Sequence, residues 1–432
     1  MLNLISSGAL ALWLEVTGTT LPPPPEFWPL SEVSGLAFDS GIDRATETLV
    51  DTYLQGLAAG GIEPADQGIW LQAGTQILVS RRGTVPRSAA SITKVATSLV
   101  ALQTWALDRQ FETMLSATGS IRNGVLEGDL IVTGGGDPLF VWEEAIGLAV
   151  TLDRMGVRRV TGDLIVEGQF AMNFETDLAL AGRFLKQAFD ARQWTPEIEA
   201  AYTRLPTRSP KPQVDVLGEV RNGNANPPTT GRWGLVRHRS LPLVSLLKQM
   251  NVHSNNVMAQ QLADEMGGGV VVAERAARLA GVPPEEIQLV DGSGLNPNNR
   301  ISPRAVCALF AAIQRHLTAR HLNVADVFPI FGRDGGTLED RTMPKGATVK
   351  TGTLWNVSAL AGAIPTRDRG IVWFAILNGG GDYVLPFRRG QDAFLEKIVQ
   401  QWGTIDPPPS LSPSFPEGRL GELDRNDILM ES

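Results

Sequence analysis

The sequence predicts an α+β protein in which a small βαβ module is inserted into a larger domain built around a sheet. Residues 349–377 have the composition of three strands joined by short turns, and an amphipathic helix over 385–402 follows them. The inserted module is indicated by a Gly-Asp-Leu-Ile-Val segment that begins at Gly128 and recurs at Gly162. Together these observations favour helices and strands in alternation, with one local repeat.

The larger domain begins with a helix and a hairpin. A helical pattern covers residues 45–59, and two short apolar runs, 69–72 and 76–80, flank the Ala73-Gly74 turn. After a loop, residues 91–102 form an apolar, mostly helical pattern. The three later strands are expected at 349–353, 359–365 and 370–377.

The βαβ module is predicted from the residues between the two copies of the repeat. Apolar residues recur there on one helical face, at Val141, Ala145, Leu148, Leu152 and Met155. Gly156 then occupies the position of a C-terminal cap. A strand, a helix and a second strand in this order predict two parallel strands joined by a helical crossover.

Composition excludes several classes of protein. The chain has 432 residues and 43% hydrophobic residues, enough for more than one domain, and its net charge of −8 argues against nucleic-acid binding. Cys307 is the single cysteine, so an internal disulfide is impossible. The four histidines show no metal-binding spacing, and no metal or other cofactor is predicted.

These patterns divide the chain into five segments. Residues 1–25 form an apolar N-terminal segment and a proline-rich linker, and 26–105 begin the larger domain. Residues 106–235 hold the inserted module or modules, and 236–403 complete the larger domain. Residues 404–432 are rich in proline and acidic residues, and we expect them to be disordered.

The N-terminal segment has two interpretations. Its apolar run over residues 9–14 is too short to span a bilayer, which takes about 20 residues. It resembles the apolar part of a secretory signal, but the first basic residue is Arg44, so the basic start of such a signal is missing. The alternative is an apolar helix packed on the body of the protein. Export and membrane association both stay open.

The first of three short motifs is Ser91-x-x-Lys94 on the predicted helix. Side chains at i and i+3 are neighbours on a helix, with β-carbons about 5–6 Å apart. A serine hydroxyl is a poor nucleophile until a base removes its proton. A lysine becomes such a base when burial and a nearby cation lower its pKa. The motif therefore predicts Ser91 as a nucleophile and Lys94 as its base.

The second and third motifs supply the remaining groups of an acyl-transfer site. Ser254 and Asn256 are placed to relay a proton to a leaving amine and to hold a substrate amide. Lys350 is the expected cation beside Lys94. Residues 350–353 have the pattern of an edge strand that binds substrate, through Thr351, Gly352 and Thr353.

Three residues of the third motif have a specific expected role. Gly352 should let the substrate backbone approach closely. The Thr353 hydroxyl and the Lys350 ammonium should hold a terminal carboxylate. The backbone N–H groups of Ser91 and Thr353 should form an oxyanion hole, in which one donor contributes about 10²–10³ in rate.

Only the ordered set of motifs is specific, because Ser-x-x-Lys alone is common. A second copy at Ser245 and Lys248 lies too close to Ser254 to form a separate helix, and we assign it to a core helix. The chain has only seven lysines against 31 arginines, yet Lys94 and Lys350 are two of them. A chain that prefers arginine uses lysine where a charge must be compact or removable.

With these motifs the sequence resembles the class C low-molecular-mass penicillin-binding proteins, the D-alanyl-D-alanine carboxypeptidase/endopeptidase family. The resemblance covers roughly residues 45–403 and includes further signatures at residues 134–138, 291–295, 334–338 and 357–362. It implies a serine β-lactamase/transpeptidase-like domain, an antiparallel sheet flanked by helices, that the insertion splits after the Ser91 helix. The gap from Ser91 to Ser254 is shorter than expected for two inserted domains.

The resemblance also implies an activity and partners. The enzyme would be a serine D-Ala-D-Ala carboxypeptidase/endopeptidase that cleaves peptidoglycan peptides through an acyl-enzyme on Ser91 and is inhibited by penicillin. Its partners would be peptidoglycan peptides and β-lactam antibiotics, with no nucleic acid. A periplasmic or other extracytoplasmic location follows, because peptidoglycan lies outside the cytoplasm.

Asp137 is a further candidate for substrate binding. It follows three glycines and precedes a proline, which predicts a tight exposed turn. In the resembling family, an acid of the inserted domain meets the free amine of the peptide's diamino acid. The alternative is that Asp137 only caps its own turn through the backbone.

Three other functions compete with the main one. A serine β-lactamase shares the three motifs, but its first two motifs are usually much closer in sequence. An esterase on the same fold and a catalytically silent peptidoglycan-binding protein are the others. The balance between carboxypeptidase and endopeptidase activity, and the oligomeric state, are left open by the sequence.

Overall fold

The structure is a computed structural model that describes residues 43–206, 209–225 and 231–429. The predicted N-terminal segment 1–25 lies outside the described residues. The helices longer than three residues in these ranges are α1 (Arg44–Ala59), α2 (Thr93–Thr104), α3 (Trp142–Arg154), α4 (Leu178–Phe189), α5 (Pro196–Arg204), α6 (Leu243–Val252), α7 (Asn256–Glu265), α8 (Gly269–Ala280), α9 (Pro303–Thr318) and α10 (Leu385–Trp402).

The strands form four sheets. The longer strands are β1 (Gly68–Ala73), β2 (Gln76–Arg81), β4 (Glu112–Ala117), β7 (Leu130–Gly135), β9 (Leu164–Gln169), β12 (Trp233–Arg239), β15 (Thr348–Leu354), β16 (Val357–Thr366) and β17 (Gly370–Asn378). The shorter strands are β3 (Arg87–Ser88), β5 (Ile121–Arg122), β6 (Val125–Leu126), β8 (Arg159–Val160), β10 (Asp215–Val216), β11 (Val220–Asn222), β13 (Ile287–Gln288), β14 (Arg300–Ile301) and β18 (Asn426–Ile428).

The main sheet has the strand order β15-β16-β17-β1-β2, with neighbouring strands antiparallel. Every residue of β16 is buried, because helices cover both faces of the sheet. Tyr53 of α1 and Phe394 of α10 pack in the core on one face, and Phe310 of α9 packs near Trp373 on the other. The predicted α+β fold, an antiparallel sheet flanked by helices, is confirmed.

Helix α2 runs through the larger of the cores and places the first motif at its start. Val95 and Leu99 of α2 are fully buried and belong to a core shared with α6, α7, α8 and α9. β15 is an edge strand of the main sheet. Thr348 and Val349 at its start bond to residues 329–330 on the outer side, and in the described ranges no other strand pairs with that side.

The inserted module has its own sheet and core. β7 and β9 pair in parallel, with Leu130 opposite Leu164, and α3 is the crossover between them. The sheet order is β11-β9-β7-β4-β12-β18, with β4 and β12 antiparallel to their neighbours. The predicted βαβ unit is therefore present, and β12 crosses the expected boundary at residue 235.

The expected disorder of residues 404–432 is wrong for the described part, which ends at Leu429. β18 pairs with β12, and Asp326 Oδ1 accepts hydrogen bonds from the backbone N–H groups of Ser414 and Phe415, at 2.6 and 2.7 Å. Leu411 is fully buried in the core that contains α2. The segment is ordered because its few apolar residues pack on the core that contains α2 and on the core of the inserted module. Its proline-rich, acidic composition gives no indication of this packing.

No helix within the described ranges is both long enough and apolar enough to cross a membrane.

Candidate active site

Ser91 lies on a sharp turn that leads from β3 into α2. A 3₁₀ turn over Ala90–Ile92 precedes the α-helix, and Ala90 has a positive φ of 46°. A non-glycine residue in this region is strained, and the surrounding packing must hold it. Gly294 makes part of that packing possible, since a Cβ there would lie 1.9 Å from Ala90 O.

Lys94 occupies the next turn and contacts the nucleophile directly. Its Nζ lies 2.9 Å from Ser91 Oγ, 2.7 Å from Asn256 Oδ1 and 2.7 Å from Ser293 O. The side chain is fully buried. None of these three partners is a carboxylate.

Burial changes the chemistry of Lys94. It lowers the pKa of the lysine to about 7, while the negative charge of Asp291 raises it in part. The sequence predicted that a neighbouring cation would share in this shift, but burial is the dominant cause. A large fraction of Lys94 is therefore neutral near pH 7, as a general base must be.

Lys350 and Ser254 form the second half of the site. Lys350 is fully buried, and its Nζ donates to Ser254 Oγ at 3.0 Å and to Thr351 O at 2.8 Å. Burial, followed by the charge of Lys94, lowers the pKa of Lys350 well below its usual value. Two buried ammonium groups that repel each other disfavour each other's charge, so the pair tends to carry a total charge below +2.

The second motif lies where α6 passes into α7. Ser254 has a positive φ of 53°, and Asn255 caps α7 by accepting a hydrogen bond from Met258 N at 3.0 Å. Asn256 is the first residue of that helix. The cap and the turn therefore direct Ser254 toward Lys350 and Asn256 toward Lys94.

The third motif lies on the open edge of the main sheet. Thr353 is exposed, whereas Thr351 is buried. Gly352 fits closely against the segment before the nucleophile, since a Cβ there would lie 2.6 Å from Ala89 O. The glycine thus lets β15 approach the Ser91 turn, a close contact that the sequence had assigned to substrate.

A loop after β13 supports Lys94 from the other side. Asp291 Oδ1 accepts hydrogen bonds from the backbone N–H groups of Ser293 and Gly294, at 2.8 and 2.6 Å, and Thr97 Oγ1 donates to Gly292 O at 2.7 Å. These bonds fix the Ser293 carbonyl that contacts Lys94. The sequence marked this segment as a signature but assigned it no role.

The expected exposure of Asp137 is wrong. Its side chain is only 4% exposed, and Oδ1 accepts a hydrogen bond from Leu139 N at 2.9 Å, which is the contact of a turn cap. Oδ2 is buried without a hydrogen-bond partner. Burial raises the pKa of Asp137 to about 6, although the Leu139 bond and the charge of Arg425 lower it in part.

The charge of Arg425 acts on Asp137 and on the buried carboxylate of Glu144. Arg425 comes from the C-terminal segment and donates from Nη2 to both carboxylate oxygens of Glu144, at 2.6 and 2.8 Å. The C-terminal segment is therefore tied to the inserted module through Glu144.

The second Ser-x-x-Lys copy lies on the core helix α6, as predicted. Lys248 Nζ donates to Asp334 Oδ2 at 2.6 Å and to Phe328 O at 2.6 Å. Ser245 is buried, and its hydroxyl has no hydrogen-bond partner. The lysine of this copy is engaged in an ion pair and does not contact the serine.

The chain also resembles characterised proteins over most of its length. It is 25% identical over 400 residues to D-alanyl-D-alanine carboxypeptidase DacB of Haemophilus influenzae, covering 70% of this chain and 83% of that protein. It is 24% identical over 375 residues to carboxypeptidase DacB of Mycolicibacterium smegmatis, covering 75% and 76% of the two chains.

Two solved structures share the fold. The predatory endopeptidase Bd3459 of Bdellovibrio bacteriovorus, acylated by penicillin G and bound to its immunity protein, matches with a TM-score of 0.66 at 21% identity, over 79% of this chain and 94% of that one. Penicillin-binding protein 4 of Haemophilus influenzae matches with a TM-score of 0.57 at 18% identity, over 81% and 99%.

A family model assigns the chain more specifically. The model of the D-Ala-D-Ala carboxypeptidase 3 (S13) family matches residues 50–177 and 179–396, which is most of the sequence and includes all three motifs. The resemblance drawn from those motifs and the enzyme class it implied are both confirmed. The chain belongs to the D-Ala-D-Ala carboxypeptidase 3 (S13) family.

Proposed function

We propose that this enzyme cleaves the D-Ala-D-Ala end of peptidoglycan peptides through an acyl-enzyme on Ser91. The observation that carries the proposal is the 2.9 Å contact between Ser91 Oγ and the Nζ of a buried lysine whose pKa lies near 7. Family membership supports the substrate class. It also supports a location outside the cytoplasm, where peptidoglycan is found.

In the acylation step, neutral Lys94 takes the proton of Ser91 Oγ while the oxygen attacks the carbonyl carbon of the penultimate D-alanine. The carbonyl becomes an oxyanion, which the backbone N–H groups of Ser91 and Thr353 stabilise. One such donor is typically worth about 10²–10³ in rate. Asn256 Oδ1 accepts a hydrogen bond from Lys94, so the NH₂ group of Asn256 can donate to the substrate amide.

The C–N bond then breaks, and the departing amine takes the proton that Lys94 received from Ser91 Oγ, which leaves Lys94 neutral again. Ser254 relays this proton, because its hydroxyl is hydrogen-bonded to Lys350, at 3.0 Å. In the second step water attacks the ester carbonyl, Lys94 takes a proton from this water, and the proton passes to Ser91 Oγ as the ester C–O bond breaks and the shortened peptide leaves. A β-lactam acylates Ser91 in the same way, and its adduct persists when the attack by water is slow.

The substrate peptide is expected to lie along the open edge of β15. With its C-terminal end at the third motif, an antiparallel strand would extend its preceding residues toward the turn after that motif. A cavity of about 540 Å³ lies beside that turn, lined in part by Ser88, Trp355 and Asn356. This cavity has room for the part of the peptide that precedes the scissile bond.

A fluorescent penicillin tests the proposal. A covalent label should form on the wild-type protein and on Ser245→Ala but not on Ser91→Ala, because Ser91 is hydrogen-bonded to the buried Lys94, whereas the Ser245 hydroxyl has no hydrogen-bond partner. Free D-alanine released from a D-Ala-D-Ala peptide should follow the same pattern. Rapid turnover of the label would indicate a β-lactamase, and absence of any label would indicate a silent binding protein. A label that persists on Ser91→Ala would contradict the assignment of the nucleophile.

A further inference from the structure

Arg388 lies at the end of the third motif. Its Nη2 donates to Thr353 Oγ1 at 3.0 Å, and both side chains reach solvent. Within the described ranges, Arg388 forms no ion pair with a carboxylate, whereas its helix neighbour Asp392 is paired with Arg341. A guanidinium without a counter-ion therefore stands beside the one exposed hydroxyl of the motif.

Lys350 is poorly placed to bind a substrate carboxylate directly. It is fully buried, and two protein oxygens already accept hydrogen bonds from its ammonium group. Burial and the charge of Lys94 also lower its pKa, which favours the neutral form. Binding of the substrate's terminal carboxylate, which the sequence analysis assigned to Lys350, therefore requires a different cation at the surface of the site.

The start of α10 adds to the positive potential around Arg388. This residue lies in the first turn of the helix, where the helix dipole disfavours a cation and favours an anion. Val384, the N-cap residue, provides no side-chain hydrogen bond to the first backbone N–H groups. An anion at this point would relieve the unfavourable placement of Arg388 and meet the guanidinium as well.

We propose that Arg388, together with Thr353, binds the C-terminal carboxylate of the substrate's leaving D-alanine. Thr353 Oγ1 accepts its hydrogen bond from Arg388, so its hydroxyl hydrogen is free to donate to one carboxylate oxygen. The remaining N–H groups of Arg388 donate to the other oxygen, a charge-assisted pairing that suits a planar carboxylate. Arg388 is a specificity-determining residue in this assignment, which rests on the proposed peptidase function.

The experiment compares two substrates that differ only at this carboxylate. One is a diacetyl-lysyl-D-Ala-D-Ala tripeptide, and the other is the same tripeptide with a C-terminal carboxamide. The wild-type enzyme should prefer the acid. Arg388→Gln should lower kcat/KM for the acid by about tenfold to a hundredfold, mainly through KM, since hydrogen bonds to charged groups contribute on this scale. The ratio of acid to amide should fall by the same factor.

Arg389→Gln is the matched control. Arg389 is the next residue of α10 and is exposed, so the substitution removes the same charge from the same helix without touching Thr353. The acid-to-amide ratio should stay at the wild-type value in this variant. Arg388→Lys should recover part of the ratio, because lysine keeps the charge but loses the planar pair of donors.

Each failure has its own meaning. If the wild-type protein neither hydrolyses the acid nor takes a penicillin label, the proposed function is wrong and the role of Arg388 falls with it. If the wild type is active and Arg388→Gln keeps the full acid-to-amide ratio, only the assignment of Arg388 is overturned. Equal losses on both substrates would also overturn it, since they indicate a structural effect.

Discussion

Lys94 and Lys248 are both buried lysines in Ser-x-x-Lys sequences, but different oxygen atoms surround them. Lys248 faces the carboxylate of Asp334 at 2.6 Å, whereas Lys94 faces a hydroxyl, an amide and a backbone carbonyl. A neutral acceptor can hydrogen-bond to a charged or a neutral lysine. Only a carboxylate offsets the free-energy cost of burying the charge of the lysine ammonium group. Whether the lysine of a Ser-x-x-Lys motif can act as a base therefore depends on the hydrogen-bond acceptors that surround it in the core.

The pH dependence of acylation follows from the pKa of Lys94. Burial lowers this pKa to about 7, and the active base is the neutral amine, so the rate should rise with pH and level off above the pKa. Between pH 6 and pH 8 the second-order rate of benzylpenicillin acylation should increase about tenfold. Stopped-flow or quenched labelling over this range measures it. A flat profile would mean that another group removes the proton.

Asp137 offers a test that separates a turn cap from a substrate anchor. Asp137→Asn keeps the acceptor for Leu139 N and replaces a buried oxygen that has no partner. The rates with a peptide that bears a free side-chain amine and with benzylpenicillin should both stay at the wild-type values. A selective loss on the amine-bearing peptide would restore the anchor role.

The same substitution should change the pH dependence of stability. The folded pKa of about 6 lies above the ordinary value of 3.8, so the folded state binds more protons and stability falls as pH rises from about 4 to 6. Asp137→Asn should remove this loss, a gain on the order of 3 kcal/mol at pH 8. Urea unfolding at pH 5 and pH 8 compares the two proteins.

Single residues were predictable from sequence where the side chain itself carries the chemistry. The structure brings Ser91 and Lys94 together with Asn256, and Ser254 together with Lys350, by direct hydrogen bonds. The Ser293 carbonyl escaped notice because every residue has a backbone carbonyl, and only the fold selects one. Asp137 was misplaced because a Gly-rich turn before a proline predicts exposure, whereas the tertiary structure buries this turn.

At the scale of elements, regular patterns were easy to predict and irregular ones were not. The helix predicted over 385–402 spans the same residues in the structure, and the one predicted over 45–59 begins one residue earlier. Both have a clear apolar face, and α1 also has Asp43 as a side-chain cap. β18 was missed because three residues are too few for a pattern, and its pairing partner lies nearly 200 residues away.

The contact between β15 and the Ser91 turn can be tested at Gly352. Gly352→Ala would place a methyl group 2.6 Å from Ala89 O and 3.2 Å from the Cβ of Ala90, so the strand or the turn must move. We expect penicillin acylation to fall by at least about tenfold, because small displacements of reacting groups are expensive. Gly56→Ala on α1 is the control, since nothing lies within 4 Å of a Cβ there. Normal acylation in Gly352→Ala would show that the close fit is not needed.

At the scale of the whole molecule, the C-terminal segment joins the two cores. Leu411 is buried in the core that contains α2, and Leu423 packs against the core of the inserted module. Asp326, outside this segment, accepts a hydrogen bond from the segment's backbone. Arg425, within the segment, donates to the carboxylate of Glu144. The segment therefore contributes to the stability of both parts.

Arg425 provides the test of that contribution. Arg425→Gln leaves the buried carboxylate of Glu144 without its cation, and breaking a buried ion pair costs about 3–5 kcal/mol. The midpoint of urea unfolding should fall accordingly. Arg419→Gln, which removes an exposed guanidinium from the same segment, should leave the midpoint within error of the wild type. Equal midpoints in the two variants would mean that the segment only lies on the surface.

The pairing of β18 with β12 also has a consequence for the order in which the protein is completed. Residues 426–428 are synthesised after every other strand of the inserted sheet, so this sheet keeps an unpaired edge at β12 until they emerge from the ribosome. The inserted sheet therefore cannot be completed before residues 426–428 have left the exit tunnel. A product truncated before residue 426 would present the unpaired β12 edge to proteases and chaperones.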